Sequence, residues 1–191
     1  MKKIQPIGIF DSGIGGISVM SHIQSLLPDE SLAYVADSLH APYGLKSHHE
    51  ILLRSKVIID YLINTKSAKI IVVACNTATA AAIIELRDMY QIPIIGMEPA
   101  IKPATKSTKC KRVGILATNG TLESAKFSAL LETYSGDIKF YTQPCPGLVE
   151  LIEQGHINNL PTKNLIQKYL NPFIKAEVDT IVLGCTHYIF I

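Results

Sequence analysis

The feature that most constrains the fold is a strand-and-helix pattern that occurs twice along the chain. In the first half, the apolar run "PIGIF" precedes the turn "DSGIGG", and "IIVVAC" precedes a helical stretch. In the second half, "RVGILAT" precedes "NGT", and "TIVLGC" is the last apolar run. The offset between Gly8 and Gly114 is close to the offset between Cys75 and Cys185. This agreement indicates an internal duplication of one α/β unit.

The alternation of short β-branched runs with amphipathic segments is typical of parallel sheets covered by helices. The sequence therefore predicts an α/β fold of two similar parallel-sheet domains, residues 1–98 and residues 99–191, related by pseudo-twofold symmetry. Ligands bind beyond the carboxyl ends of such strands, so we expect the site in the cleft between the domains.

Two helix signals are specific enough to test. Ser47 and Glu50 form a capping box, which predicts a helix that runs to about Thr65. Pro161 is placed to begin a later helix, and Pro172 is expected to kink or end it.

The composition of the chain limits the kinds of binding partner and the cellular compartment that we expect. Hydrophobic residues make up 48% of the 191 residues, and the formal net charge is +2. This balance supplies a core and gives no reason to expect nucleic acid or a membrane as partner. The apolar runs are too short to span a bilayer, and the first residues lack the apolar region of a secretory signal. We therefore expect a cytoplasmic protein.

The four cysteines divide into two groups. None lies in a C-x-x-C pair, so the sequence favours neither a zinc site nor a thioredoxin motif. Cys110 and Cys145 are interpreted as structural. Cys75 and Cys185 each follow an apolar strand, at matching positions of the repeat. If the two halves face each other, both thiols face one cleft.

Two thiols on opposite faces of a small molecule suit the inversion of a tetrahedral carbon. One thiolate removes a proton, and the other thiol returns one to the opposite face. A free cysteine titrates near about 8.5, and we expect the N–H groups of a helix N-terminus to lower that pKa.

The residues near these cysteines fit an anionic substrate of amino-acid size. Asp11 is suited to pair with an ammonium group or to exchange a proton with a thiol, and His187 is suited to the same exchange with Cys185. Compact hydrogen-bonding side chains occupy the predicted turns, where backbone N–H groups can also hold carboxylates. They are Ser12, Asn76, Thr77, Thr118, Thr121 and Thr186.

Other interpretations stay open on the residues alone. Glycines after a strand form tight turns or phosphate cradles more often than sites that invert a carbon. Asp11 could serve only as a helix cap, and Tyr43 and Gly44 could be ordinary turn residues. His187 alone is also typical of a satisfied buried histidine, and the other histidines are interpreted as surface or loop residues.

With these motifs in family order, the chain resembles glutamate racemases of the aspartate/glutamate racemase superfamily. The matching segments are "GIFDSGIGG", "APYG", "VACNTATA", "VGILAT" with "GT", "CPGLVELIE" and "LGCTHY". The resemblance implies a cofactor-independent isomerase that supplies D-glutamate for peptidoglycan and needs no metal. Glutamate would be the small-molecule partner; a peptidoglycan-precursor activator and a homodimer are compatible with the family.

The resemblance also implies roles for individual residues. Cys75 would deprotonate D-glutamate and Cys185 would deprotonate L-glutamate, with Asp11, His187 and Glu153 assisting. The substrate-binding positions that it implies are Asp11, Ser12, Tyr43, Gly44, Asn76, Thr77, Thr186 and His187.

The end of the sequence departs from the family pattern. After "GCTHY" the family usually continues with a proline and leucines, and then with about half a domain that packs on the first domain. Here Ile189, Phe190 and Ile191 follow instead, so we expect uncovered apolar surface and weakened activity. Two alternatives are a non-catalytic glutamate- or partner-binding protein of the same fold and a hydrolase with a Cys185–His187 pair. Cysteine and histidine so close in one turn are not expected to hydrogen-bond.

Overall fold

The computed structural model describes residues 5–191 and contains two parallel sheets. The first sheet has the strand order β2-β1-β3-β4, and every neighbouring pair is parallel. Its strands are β1 (Ile7–Asp11), β2 (Leu32–Ala36), β3 (Ile70–Val73) and β4 (Ile94–Gly96). The second sheet has the order β6-β5-β7, again all parallel. Its strands are β5 (Arg112–Ala117), β6 (Lys139–Pro144) and β7 (Thr180–Leu183).

The registers of the two sheets confirm the duplication inferred from the sequence. Gly8 on β1 pairs with Ile71 on β3, and Gly114 on β5 pairs with Ile181 on β7. Each central strand is thus flanked by the second and third strands of its own unit. The predicted α/β fold of two similar parallel-sheet units is confirmed, whereas the domain boundary between residues 98 and 99 stays a prediction.

Helices follow most of the strands, as the alternating pattern predicts. In the first half they are α1 (Ile17–Leu26), α2 (His48–Asn64), α3 (Asn76–Met89) and α4 (Ile101–Ser107). In the second half they are α5 (Asn119–Leu122), α6 (Ala125–Tyr134), α7 (Leu148–Glu153) and α8 (Leu160–Lys175). Short 3₁₀ turns occupy Ser38–His40, Tyr43–Leu45 and Thr186–Phe190. None of the helices in residues 5–191 is long and apolar enough to cross a bilayer.

The two helix signals have different outcomes. The capping box at the start of α2 is confirmed: the Glu50 amide donates to Ser47 Oγ, and the Ser47 amide donates to the Glu50 carboxylate. Pro172 was expected to kink or end its helix; it does not end it, because α8 continues to Lys175, and the kink stays a prediction. The neighbouring Phe173 is buried against Gly114 of the central strand, and this packing offsets the backbone hydrogen bond that proline cannot make.

The two faces of the first sheet are covered to different extents. One face packs on α2 and α3 in a continuous core that includes Phe10, Ile71 and Val73. The other face packs on α1, none of whose residues is fully buried. An open apolar cavity of about 560 Å³ lies beside α1 on that face. This face of the first half therefore exposes apolar surface.

Candidate active site

Cys75 lies just beyond β3 and caps the N-terminus of α3. Its Sγ accepts a hydrogen bond from the Ala78 amide at 3.4 Å and lies 3.7 Å from Ser12 Oγ. Burial, reinforced by the nearby Asp11 carboxyl, raises the pKa of the Cys75 thiol to about 11. The prediction of a lowered pKa is wrong for this closed site, because desolvation outweighs the helix N-terminus.

Cys185 lies beyond β7 at the corresponding position, but it precedes a 3₁₀ turn instead of a long helix. Its Sγ lies 3.7 Å from His187 Nδ1, within hydrogen-bond range for sulfur. The expectation that these two residues would not pair is therefore wrong. The backbone at Cys185 is extended and the turn after it is tight, which brings the imidazole back over the thiol. Burial raises the pKa of the Cys185 thiol well above its ordinary value.

Glu153, at the end of α7, lies directly behind His187. Its Oε1 is 2.6 Å from His187 Nε2 and also accepts a hydrogen bond from the Ile14 amide at 2.7 Å. The close approach depends on Gly13, since a Cβ there would lie 1.8 Å from the same carboxylate oxygen. Glu153 thus contacts His187 in the second half and Ile14 in the first. The absence of a side chain at Gly13, in the turn after Asp11, makes room for this contact.

Asp11 ends β1 and is fully buried at the contact between the halves. Its Oδ1 accepts from the Gly13 amide at 3.0 Å and from Ser12 Oγ at 3.3 Å, and its Oδ2 accepts from Thr186 Oγ1 at 2.9 Å. Burial raises the pKa of Asp11, and nearby His187 opposes that rise. Its hydrogen bonds extend beyond a helix-capping role, because one partner belongs to the second half.

The threonines of the predicted site form a second contact between the halves. Thr77 Oγ1 lies 2.8 Å from Thr118 Oγ1 and 3.3 Å from Thr121 Oγ1. Gly44 packs so closely on Thr118 that a Cβ would lie 2.8 Å from the threonine Cβ. Asn76 donates from its amide to the Met97 carbonyl at 3.1 Å, which fixes its orientation. Hydroxyls expected to bind substrate therefore bond to one another in this closed arrangement.

Two residues that were not singled out from the sequence, Asp37 and Arg54, support the loop that contains Tyr43. The Tyr43 hydroxyl donates to Asp37 Oδ2 at 2.6 Å, and Arg54 donates to both oxygens of the same carboxylate. Hydrogen bonds to Arg54 and Tyr43 hold the pKa of Asp37 below its usual range, against the effect of burial. Asp37 directly follows β2, and Asp11 is the last residue of β1. A carboxylate at the end of a second strand was therefore the sequence signal that could have identified Asp37. Arg54 lies half-way along α2, and no local sequence pattern indicated its role.

The predicted catalytic residues come together at one closed contact. All four cysteines are free, so no disulfide joins Cys75 to Cys185. Ionisation of Cys75 makes ionisation of Cys185 less favourable, which places the two thiols in one electrostatic environment. Cys145 is buried in the core of the second half, whereas Cys110 is partly exposed. No cluster of three or more metal-ligand side chains is found within the described range 5–191.

Comparison with known proteins identifies the group to which this arrangement belongs. The family described as Asp/Glu/Hydantoin racemase matches residues 7–189. The chain belongs to this racemase family. The predicted enzyme class, an amino-acid racemase and hence an isomerase, is confirmed. A glutamate racemase of Ectopseudomonas mendocina is 54% identical to this racemase over 187 residues, which cover 97% of this chain and 71% of that protein.

Solved structures agree with the sequence comparison. Glutamate racemase of Escherichia coli, in complex with L-glutamate and the activator UDP-MurNAc-Ala, matches with a TM-score of 0.88 and 34% identity. The match covers 97% of this racemase and 71% of that chain. A glutamate racemase isoform of Bacillus anthracis matches with a TM-score of 0.87, also at 34% identity, over 98% of this chain and 71% of the other. These matches confirm the resemblance to glutamate racemases.

Proposed function

We propose that this racemase interconverts L- and D-glutamate by a two-base mechanism in which Cys75 and Cys185 are the acid–base pair. The observation that carries the proposal is the matched placement of two free, buried thiols beyond β3 and β7 of two similar units that contact each other through Glu153–Ile14 and Thr77–Thr118. The relatives named glutamate racemase support the choice of substrate.

The raised pKa values require each thiol to have a local proton acceptor. Asp11 lies beside Cys75, and the burial that raises its pKa makes its carboxylate a stronger base. His187 Nδ1 faces Cys185, and Glu153 contacts the opposite nitrogen of that ring. Each thiol can therefore lose its proton to a neighbour when substrate is present, although the buried thiol alone favours the neutral form.

In the D-to-L direction, the Cys75 thiol first passes its proton to Asp11. The Cys75 thiolate then removes the α-proton of glutamate, and the electron pair of the C–H bond stays on the α-carbon. The Cys185 thiol donates its proton to the opposite face, which completes the inversion. Asp11 then releases its proton to solvent, and the Cys185 thiolate regains one from solvent through His187 Nδ1, so the pair is reset. The L-to-D direction uses the same groups in reverse.

The polar residues around the thiols supply the binding groups for glutamate. Hydroxyls and amides at the strand ends can bind its two carboxylates, and Asp11 can pair with its ammonium group in the states in which it does not hold the proton of Cys75. The proposed binding residues are Asp11, Ser12, Tyr43, Gly44, Asn76, Thr77, Thr118, Thr121, Thr186 and His187. Because Thr77 bonds to Thr118, glutamate must replace that hydrogen bond in order to bind these hydroxyls.

The role in the cell follows from the product. D-glutamate is proposed to supply peptidoglycan synthesis. The activator in the E. coli structure, UDP-MurNAc-Ala, supports regulation of this chain by a related precursor. A homodimer stays a prediction from the sequence.

Solvent deuterium exchange tests the proposed reaction directly. The purified 191-residue chain is incubated in D₂O with L-glutamate or with D-glutamate, and loss of the α-proton signal is followed by NMR. We expect deuterium to enter the α-carbon with both enantiomers, and much more slowly with aspartate. Binding of glutamate without exchange would support the non-catalytic alternative. Accumulation of an acyl-enzyme on Cys185 would support the hydrolase alternative.

A further inference from the structure

The peptide group between Gly13 and Ile14 connects the two halves of the racemase. Its N–H, on Ile14, donates to Glu153 Oε1 of the second half at 2.7 Å. Its C=O, on Gly13, accepts a hydrogen bond from the Tyr34 hydroxyl at 2.6 Å. Both polar atoms of one peptide are therefore fixed, by a tyrosine on one side and a carboxylate on the other.

Tyr34 lies on β2, in the middle of the strand, and plays no part in the mechanism described above. Its hydroxyl lies under the glycine turn: a Cβ on Gly16 would be 2.8 Å from the tyrosine oxygen. Burial, reinforced by the nearby Asp11, Glu153 and Cys75, raises the pKa of the Tyr34 phenol, which keeps it protonated as a donor. The turn that carries Gly13 and Ile14 is thus built around a permanent hydrogen-bond donor.

The contacts of Glu153 determine which nitrogen of His187 carries the proton. Glu153 Oε1 accepts from the Ile14 amide, so the oxygen facing the ring acts as an acceptor. His187 Nε2, 2.6 Å from that oxygen, is then the nitrogen that donates. In the neutral ring this leaves Nδ1 without a proton, 3.7 Å from Cys185 Sγ. That tautomer can accept the thiol proton.

We propose that Tyr34 is a positioning residue for the Cys185 side of the reaction. By holding the Gly13 carbonyl, it aims the Ile14 N–H at Glu153 and so keeps His187 in the tautomer that can accept a proton from Cys185. The kinetic part of this proposal rests on the proposed function. The proposal assigns Tyr34 to the half-reaction of Cys185, although Tyr34 belongs to the same half of the molecule as Cys75.

The variant Tyr34→Phe removes only the hydroxyl, and Tyr90→Phe is a matched control. The Tyr90 hydroxyl also donates a short hydrogen bond, to Asp60 at 2.7 Å, but it lies at the end of α3 opposite to Cys75. Loss of one hydrogen bond corresponds to a fall in kcat/KM of roughly twofold to twelvefold. We expect a fall in this range for Tyr34→Phe and an unchanged kcat/KM for the control.

Primary isotope effects distinguish positioning of Cys185 from a general structural role. The equilibrium constant fixes the ratio of kcat/KM in the two directions, so kcat/KM must fall equally in both. If removal of the proton by Cys185 becomes slower, the isotope effect on kcat/KM rises with α-deuterated L-glutamate and does not rise with α-deuterated D-glutamate. A rise with the D-enantiomer instead would assign Tyr34 to Asp11 and Cys75. No change with either enantiomer would leave only a structural role, and both results overturn the proposal.

A second readout does not require activity. In protein with ¹⁵N-labelled histidine, NMR reports the tautomer of His187, whose signals are assigned by their loss in His187→Gln. We expect the Nε2–H tautomer in the parent, a larger Nδ1–H fraction in Tyr34→Phe, and no change in Tyr90→Phe. If Tyr34→Phe does not fold, Glu153→Leu removes the carboxylate that accepts from His187 Nε2, without altering β2, and should also raise the Nδ1–H fraction. An unchanged tautomer in whichever variant folds overturns the proposal. If the parent fails to racemise glutamate yet shows these shifts, only the proposed function fails.

Discussion

Cys75 and Cys185 occupy the same position in the two duplicated units, but their surroundings differ. Cys75 caps a 14-residue helix, and its partners are the Ala78 amide and the Ser12 hydroxyl, with Asp11 nearby. Cys185 precedes a five-residue 3₁₀ turn, and its partner is an imidazole supported by a carboxylate. The duplication has kept the strand ends that place the sulfurs, while the groups that exchange protons with them have diverged.

The difference shows which part of a two-base site must be symmetric. Inversion requires a hydrogen donor and an acceptor on opposite faces of the α-carbon, and matched strand ends satisfy that requirement. Proton exchange with each thiol requires only a neighbour of suitable basicity, which a carboxylate or an imidazole can supply. The backbone is therefore constrained more tightly than the chemical identity of the supporting groups.

The largest expected effect comes from removing either thiol. We expect Cys75→Ser and Cys185→Ser each to lower the racemisation rate by on the order of 10²–10⁴-fold, since a hydroxyl is a much weaker acid than a thiol. Circular dichroism of glutamate during the reaction measures this rate. Cys110→Ser, in a partly exposed loop, should be unchanged. An equal fall in the racemisation rate of Cys110→Ser would show that Cys75 and Cys185 are not specifically required.

The pH dependence of alkylation sharpens the comparison between the two thiols. Only the thiolate reacts, and burial raises the pKa of Cys75 to about 11, compared with about 8.5 for a free thiol. The reactive fraction is therefore depleted in the folded protein below that pKa and should rise until about pH 11. In the neutral range we expect Cys75 to react at least roughly 100-fold more slowly in folded than in urea-unfolded protein.

Cys185 should react more slowly than Cys75 across the same range, because burial raises its pKa well above the ordinary value and Cys75 opposes its ionisation further. Mass spectrometry of iodoacetamide-labelled peptides gives both rates in one experiment. Equal profiles in folded and unfolded protein would contradict the closed, desolvated site.

A glycine substitution tests the contact that only the second thiol has. In Gly13→Ala, the new Cβ would overlap the Glu153 carboxylate, which must then leave the Ile14 amide and His187. Loss of a hydrogen bond to a charged group predicts a fall in kcat/KM of roughly 10- to 100-fold. Gly120→Ala is the comparison variant, because its Cβ would lie 3.2 Å from the Thr77 methyl group, a crowding that a shift of a few tenths of an ångström relieves. Similar kinetics for the two variants would show that the Glu153 contact is dispensable.

The smallest expected effect compares the scaffolds of the two halves. Gly8→Ala and Gly114→Ala introduce the same methyl group at matching positions of β1 and β5, and each would overlap a neighbour at 2.8 Å. Overpacking of this kind lowers the free energy of unfolding by about 1–3 kcal/mol. We expect the larger loss for Gly114→Ala, since the ring of Phe173 must move as a unit, whereas the end of Ile71 can rotate. Urea unfolding of both variants measures the difference, and a larger loss at Gly8 would contradict this account.

Local patterns in the sequence were sufficient for the strands and for the positions of the two sulfurs. Each strand is a short apolar run with clear punctuation, and the capping box of Ser47 and Glu50 is contained within four residues. The match between Gly8 and Gly114 could also be read without any knowledge of packing. These features depend on neighbours in the chain, which is why they were predictable.

The features that the sequence could not supply depend on residues far apart in the chain. The Ile14 amide meets Glu153 across 139 positions, and Tyr34 reaches Gly13 from another strand. The direction of the Cys75 pKa shift depends on how completely the closed halves exclude water, which no local motif encodes. The persistence of α8 past Pro172 likewise depends on the packing of Phe173 against the second sheet.

The hydroxyl contacts among Thr77, Thr118 and Thr121 also limit how tightly a substrate can be held. A glutamate carboxylate that binds these threonines must replace bonds that they already make to one another. Each such bond is worth about 0.5–1.5 kcal/mol, so every bond exchanged weakens ground-state affinity by roughly twofold to twelvefold. The hydrogen bonds among these threonines thus compete with those to the substrate. A modest ground-state affinity leaves more of the binding energy to stabilise the transition state at the inverting carbon.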